Sequence, residues 1–178
     1  VNDKILVTYA SRNGSTAGVA EAIGKALSEG GAQVDVLPMG EVKDLSAYRA
    51  VVAGSAIQAA KWLPEAMQFV QAHRAELARK PFAPFLVCMT LAMKKGDYRE
   101  QVAHWLDPVC SLVKPVSGGT VVPPGLFAGT LDLRKVPSFG DRLKFSLSVK
   151  MGVWSEGDHR DWNAIHAWAE SLRPLLLQ

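Results

Sequence analysis

Cysteine is scarce in this chain of 178 residues: Cys88 and Cys110 are the only two, far apart and in no C-x-x-C spacing. That excludes a disulfide scaffold and fits a reducing compartment, with both thiols expected to pack as small buried apolar groups. Long apolar runs are missing too. No segment nears the roughly 18 uninterrupted apolar residues of a bilayer-crossing helix, and the opening Val1-Asn2-Asp3-Lys4 lacks the apolar stretch of a signal peptide. A cytoplasmic protein is expected. Charge of one sign is also lacking, with 20 Lys and Arg against 17 Asp and Glu, a net charge of +3. The cations are scattered, so a nucleic-acid partner is not expected. There is equally no acidic excess of the sort that steers a freely diffusing electron carrier to its partners. His73, His104, His159 and His166 are dispersed without metal-ligand spacing, so neither a metal nor a catalytic role is assigned to them. Ser11 and Ser55 lie outside any G-x-S-x-G context, which argues against a serine hydrolase.

What is present is a regular alternation. At 48% hydrophobic the chain can close one sizeable core, and one domain is expected, with no repeat or linker to divide it. Residues 4–10 form a short aliphatic run ending in a Ser/Asn/Gly cluster, and 16–28 carry Val19, Ala20, Ile23, Ala26 and Leu27 at helical spacing. Gly30-Gly31 ends that helix, and 33–37 reads as the second strand. Continuous apolar runs at 50–55 and 82–89 predict strands buried on both faces. Pro64 opens a helix between them, 97–113 predicts another, and 119–123 is expected to begin a fifth strand. Asp161 caps a final helix over 162–172. Strands alternating with helices predict an α/β fold, a doubly wound parallel sheet with helices on both faces.

In such a sheet, ligands bind beyond the carboxyl ends of the strands, here after Ala10, Ser55 and Met89. The first turn, Ser11-Arg12-Asn13-Gly14-Ser15-Thr16, offers hydroxyls, a glycine free to take positive φ, and backbone N–H groups at a helix start. Together these make a phosphate cradle. The competing reading is an ordinary polar turn with Thr16 as N-cap. A nucleotide-hydrolysing P-loop fits poorly, since Gly14-Ser15-Thr16 carries no lysine and none follows before Lys25, and Gly14 with Gly18 does not give the G-x-G-x-x-G spacing of dinucleotide sites.

Tyr9-Ala10-Ser11-Arg12-Asn13-Gly14-Ser15-Thr16 resembles the FMN-phosphate loop of flavodoxins, with Ser11, Asn13, Gly14 and Thr16 at its characteristic positions. Val51-Val52-Ala53-Gly54-Ser55-Ala56-Ile57, followed by Phe69-Val70, and Asp161-Trp162 before the last helix are similar to the menaquinone-dependent protoporphyrinogen dehydrogenase branch. The resemblance spans nearly the whole chain and is loosest over 127–155. It implies a five-stranded sheet in the order 2-1-3-4-5, FMN as cofactor, and one- or two-electron chemistry with a redox partner or quinone. It also implies that the isoalloxazine ring lies between the turns at 55–63 and 90–96. Ser55, Ala56, Ile57, Thr90, Leu91 and Ala92 are then the candidates along the ring edge. Trp62 is the aromatic candidate for stacking, its alternative being packing at the start of the Pro64 helix. The branch tends to carry arginine, tyrosine and glycine where this chain has Gln58, Ala59 and Ala60, which bears on substrate recognition. Two alternatives stand beside an FMN oxidoreductase: an FMN electron carrier with no small-molecule substrate, and a flavin-free partner-binding domain.

Residues 127–154 exceed the connection that a minimal doubly wound domain needs. From Leu143 the apolar residues fit both a strand and a helix, and the resemblance favours a helix. Arg134, Lys135, Arg142, Lys144 and Lys150 surround them against Asp132 and Asp141, so this insertion-like segment is expected either to contact an anionic membrane surface or partner peripherally, or simply to cover the sheet edge.

Overall fold

The computed structural model describes residues 4–114, 122–136 and 138–176. Five parallel strands form one sheet: β1 (Lys4–Ala10), β2 (Gln33–Pro38), β3 (Tyr48–Gln58), β4 (Phe82–Cys88) and β5 (Gly125–Ala128). Their order is β2-β1-β3-β4-β5, the expected one. Helices α1 (Ser15–Glu29) and α6 (Trp162–Leu176) cover one face; α2 (Pro64–Leu77), α3 (Arg99–Ala103) and α4 (Asp107–Leu112) cover the other.

The period of two in each strand explains why the runs are apolar throughout. Ile5, Val7, Val52 and Phe85 meet Val19, Ile23, Ile165 and Leu172, while Leu6, Val51, Ala53 and Leu86 meet Ala66, Phe69, Val102 and Val109. Each fully buried aliphatic side chain in these layers is worth about 1.5–3 kcal/mol. Gly54 sits opposite Phe85 in register, and a Cβ there would overlap the Phe85 ring, so this glycine is what lets β3 and β4 pair beneath an aromatic. Phe85 in turn meets Phe127 and the edge of Trp168.

Several expectations are corrected. Strand β3 runs on past Ser55 to Gln58 because it turns back on itself as a hairpin, with Ile57 opposite Trp62 and Gln58 opposite Lys61. The predicted helix 97–113 is broken into α3, a 3-10 turn at His104–Leu106 and α4; Pro108, lacking an N–H, cannot continue the ladder and instead opens α4. Of the predicted strand start at 119–123, residues 119–121 lie outside the described residues. Val122 and Pro123 are not in a strand, and pairing with β4 begins only at Gly125, opposite Phe85. Cys110 is half-buried rather than buried.

Between β5 and α6 the chain forms a stem and a protrusion. Thr130–Leu131 pairs antiparallel with Gly157–Asp158, and the His159 N–H bonds the Gly129 carbonyl at 3.1 Å. Above this stem lies α5 (Phe139–Lys150), opened by the Ser138 hydroxyl accepting from the Asp141 N–H. The stretch from Leu143 is thus helical as far as Lys150.

Candidate functional site

Parallel register brings the carboxyl ends of β1, β3 and β4 to one edge, with Ala10 beside Ser55 and Ala56 beside Val87. The turn after β1 is shaped from within: Ser11 Oγ accepts from the Gly14 N–H at 3.1 Å, and Gly14 has φ +85°, a left-handed conformation that a Cβ would strain. Gly14 is also the N-cap of α1, and no side chain caps the helix. The N–H groups of its first turn therefore lack intrahelical partners, and the helix dipole favours an anion there.

Thr16 falls inside the first turn instead of at the cap, because the helix already starts at Ser15. It is fully buried and its Oγ1 has no hydrogen-bond partner. Arg12 is turned away from this cradle, its guanidinium making a two-pronged ion pair with the Glu65 carboxylate in the first turn of α2. That contact holds the Glu65 carboxyl below its usual range and raises the arginine. Arg160 supports the turn from behind: Nη1 donates to the Ser15 carbonyl at 3.4 Å, Nη2 and Nε hold Asp158, and the guanidinium lies 4.3 Å from the Trp162 ring centre.

Two clefts meet here. One of about 230 Å³ lies over the strand ends, between Ile57 and Gln58 of β3, Cys88 at the end of β4 with Met89 after it, and Phe145 of α5. The other, about 890 Å³, runs beyond the turn toward Arg134, Lys135 and Arg160. They share Asn13, Ser15, Thr130 and Leu131, so a ligand anchored at the turn has room on both sides.

The other residues singled out from the sequence are placed as follows. Ser55 is fully buried, its hydroxyl donating to the Ala56 carbonyl at 2.7 Å and accepting from the Leu63 N–H at 3.0 Å, so it fastens the hairpin to the start of α2. Ala56 and Ile57 are half-buried, and only Ile57 of the two lines the cleft. Trp62 is 3% exposed, packed in the core beneath α2 with its Nε1 unpartnered, and it does not line the cleft. Thr90, Leu91 and Ala92 lie half-buried in a 3-10 turn, Met89–Ala92, whose bend leaves the cleft wall to Val87, Cys88 and Met89. Burial pushes the Cys88 thiol up, which keeps it in the protonated form. Thr130, Leu131, Val136, Asp141 and Phe145 form a wall that sequence reasoning missed. Gly129 was the available signal, since a Cβ there would press on Val87 and the Ser15 hydroxyl at 3.2–3.3 Å. None of the histidines lines either cleft, and among the described residues no group of three His, Cys, Asp or Glu side chains is placed to hold a metal ion.

A family model for the flavodoxin domain matches residues 6–159. The chain belongs to the flavodoxin domain family. No curated protein sequence matches this flavodoxin-family chain. Among solved structures, a flavodoxin from the Archaea is 21% identical with a TM-score of 0.55, covering 96% of this chain and 99% of that one. A Fusobacterium nucleatum flavodoxin variant bound to flavin mononucleotide is 13% identical with a TM-score of 0.56, covering 97% and 96%. Rubredoxin oxygen:oxidoreductase from Desulfovibrio gigas is 16% identical with a TM-score of 0.56, covering 98% of this chain but 36% of that chain. At these identities the likeness is one of fold.

Proposed function

We propose that this flavodoxin-family chain is an FMN-dependent redox protein that passes electrons between a reduced substrate and a redox partner. The observation that carries this reading is the buried, unpartnered Thr16 hydroxyl inside an uncapped helix N-terminus. Leaving such a hydroxyl unpaired costs about 1–3 kcal/mol; Thr16 lines neither cleft, and a phosphate drawn in at the turn would supply its acceptor. The residues present fit the cofactor: Ser11, Asn13, Gly14, Ser15 and Thr16 hold the phosphate through backbone N–H groups and hydroxyls, with Arg12 contributing its main chain. Ile57, Gln58, Cys88 and Met89 frame the ring, while Ser55 and Trp62 stiffen that frame from within, and Thr90, Leu91 and Ala92 form its outer margin. Bound FMN supplies one- and two-electron transfer. The protein's own part is to hold the phosphate, fix the ring edge and restrict water.

The finer reading is oxidation of a protoporphyrinogen-type substrate with a quinone as acceptor. Its support is the resemblance at 51–57 and Asp161-Trp162, together with the lack of acidic bias. The chain is read as one domain in which 127–154 is an insertion that brings the site to the quinone's membrane surface. The Gln58-Ala59-Ala60 hairpin, where the branch tends to carry arginine, tyrosine and glycine, favours a second reading as an electron carrier without a small-molecule substrate.

Titration of the purified protein with FMN, followed by flavin fluorescence, tests the cofactor. Absence of binding would sink both readings. Following porphyrin fluorescence after adding protoporphyrinogen and a quinone separates them, since only the first produces porphyrin.

A further inference from the structure

We propose that the outward face of α5 is a docking surface for an anionic lipid bilayer. This deepens the reading of a quinone acceptor and rests on it for its purpose, while its grounds lie in the helix itself. No residue of α5 is buried. Phe139, Leu143, Leu147 and Met151 recur every fourth residue, so they lie along one ridge, and they are 80%, 62%, 57% and 71% exposed. Among the described residues the only other large apolar side chain so exposed is Trp162, at 44%. A ridge of this sort on an otherwise well-packed protein marks a contact surface.

Charge selects the occupant. Lys144 flanks the ridge and Lys150 emerges at its far end next to Met151, with Lys135 exposed just before the helix and Arg134 beside it already paired with Asp132 at 3.0 Å. The acid within α5 is Asp141, 3.8 Å from Lys144. A second copy packed on this face would bring Lys144 and Lys150 of one copy toward the same two lysines of the other, a like-charge juxtaposition that disfavours a self-complementary interface. An anionic bilayer accepts both features, taking the apolar ridge below the headgroups while the lysines meet lipid phosphates. The 12 residues of α5 span about 18 Å at the helical rise, too short to cross the hydrocarbon core. The helix therefore lies in the plane of the surface. Its opposite side carries Asp141 and Phe145 into the wall of the 230 Å³ cleft, with Phe145 seated 5.4 Å from Trp154. Docking thus lays α5 between the lipid and the proposed flavin cleft, whose wall stands one helix diameter, about 10 Å, from the surface.

The test is co-sedimentation of the full chain with vesicles of phosphatidylcholine and phosphatidylglycerol in equal parts, and with phosphatidylcholine alone, at low and high salt. Binding to the anionic vesicles at low salt is expected, weakened about tenfold or more by added salt and in neutral vesicles. Lys144→Glu with Lys150→Glu should weaken it about tenfold or more, and Leu143→Ser with Leu147→Ser should abolish it. These side chains are exposed, so the fold is kept, and FMN titration of the same preparations reports separately on the cofactor reading. No binding to anionic vesicles at low salt overturns the proposal, as does binding that both double variants leave intact. A dimer in sedimentation velocity that Leu143→Ser with Leu147→Ser dissolves also overturns it, because the face then belongs to a second copy.

Discussion

Arg12 and Glu65 tie the phosphate turn to the first turn of α2, a loop and a helix start that meet in space though far apart in sequence, through a two-pronged guanidinium–carboxylate contact with Nη2 to Oε2 at 3.0 Å. Both side chains are nearly half exposed, 46% and 42%, so solvent screens the pair and its worth is at most about 1 kcal/mol. The contact holds Arg12 out of the cradle. Glu65→Gln should accordingly lower stability by less than about 1 kcal/mol and leave FMN affinity within about threefold of the parent. The Glu65 carboxyl is depressed in the folded state, so its contribution is present above the ordinary carboxylate pKa and is lost as pH falls through the folded value. Urea melts at neutral and acid pH check the first statement and FMN titration the second; a tenfold loss of affinity would place the guanidinium among the phosphate ligands.

Thr16 gives a prediction with two opposed signs. Without FMN, its hydroxyl is buried and unpaired, so Thr16→Val, which keeps the side-chain shape, should leave the apoprotein as stable as the parent or more stable by up to about 1 kcal/mol. With FMN, the same change removes a donor and should weaken binding about tenfold, equivalent to about 1.4 kcal/mol. Thr16→Ser should retain most of the affinity. Thermal melts of the apoprotein and FMN fluorescence titrations check the two halves separately.

The strands and the glycine turn at the start of α1 were legible because each rests on local chemistry, whereas the strand order came only with the resemblance. The doubly buried runs in β1, β3 and β4 have a single reading, and Gly14 before Ser15-Thr16 marks a turn that needs positive φ at a helix start. What was not legible depends on partners distant in sequence. Nothing around Arg12 announces Glu65, and nothing in the sequence decides between stacking and packing for Trp62, whose ring lies in the core. The cleft wall built by Val136, Asp141 and Phe145 arises only once the Thr130–Leu131 and Gly157–Asp158 stem folds α5 back over the strand ends. Periodicity alone left 143–153 undecided because its apolar residues satisfy both periods.

Ala59 and Ala60 form the tip of the β3 hairpin with φ of +49° and +61°. This is the mirror-image turn that a two-residue hairpin requires, and asparagine followed by glycine suits it far better than two alanines, for which left-handed backbone costs roughly 1–2 kcal/mol each. The glycine adds back some unfolded-state entropy, about 0.5–1 kcal/mol. Ala59→Asn with Ala60→Gly should therefore stabilise the protein by about 1 kcal/mol net, read as a higher urea midpoint with an unchanged slope.

The start of the sheet carries a pH-sensitive contact that spans three strands. Lys4 Nζ of β1 holds both oxygens of Asp35 on β2 at 3.1 and 3.0 Å, and the Tyr48 hydroxyl of β3 donates to the same carboxylate at 2.9 Å. Hydrogen bonds from Lys4 are the main cause that lowers the Asp35 pKa, partly opposed by burial and assisted by Tyr48. Burial first, then the Asp35 contact, pushes Tyr48 up to about 12. The two shifts act on opposite limbs. A depressed carboxylate stabilises the fold above its ordinary pKa near ~3.9, and that stability is lost as pH falls through the folded value. A raised phenol stays protonated in the folded chain while the unfolded chain ionises near ~10, so its contribution is lost as pH rises from there toward the folded value. Asp35→Asn should flatten the acid limb of the stability curve and also reduce the rise on Tyr48. Tyr48→Phe should flatten the alkaline limb and leave most of the acid limb, since Lys4 remains. Urea denaturation across acid, neutral and alkaline pH, with tyrosinate absorbance followed in parallel, checks both; a Tyr48 titrating at its ordinary value in the folded protein would contradict the contact.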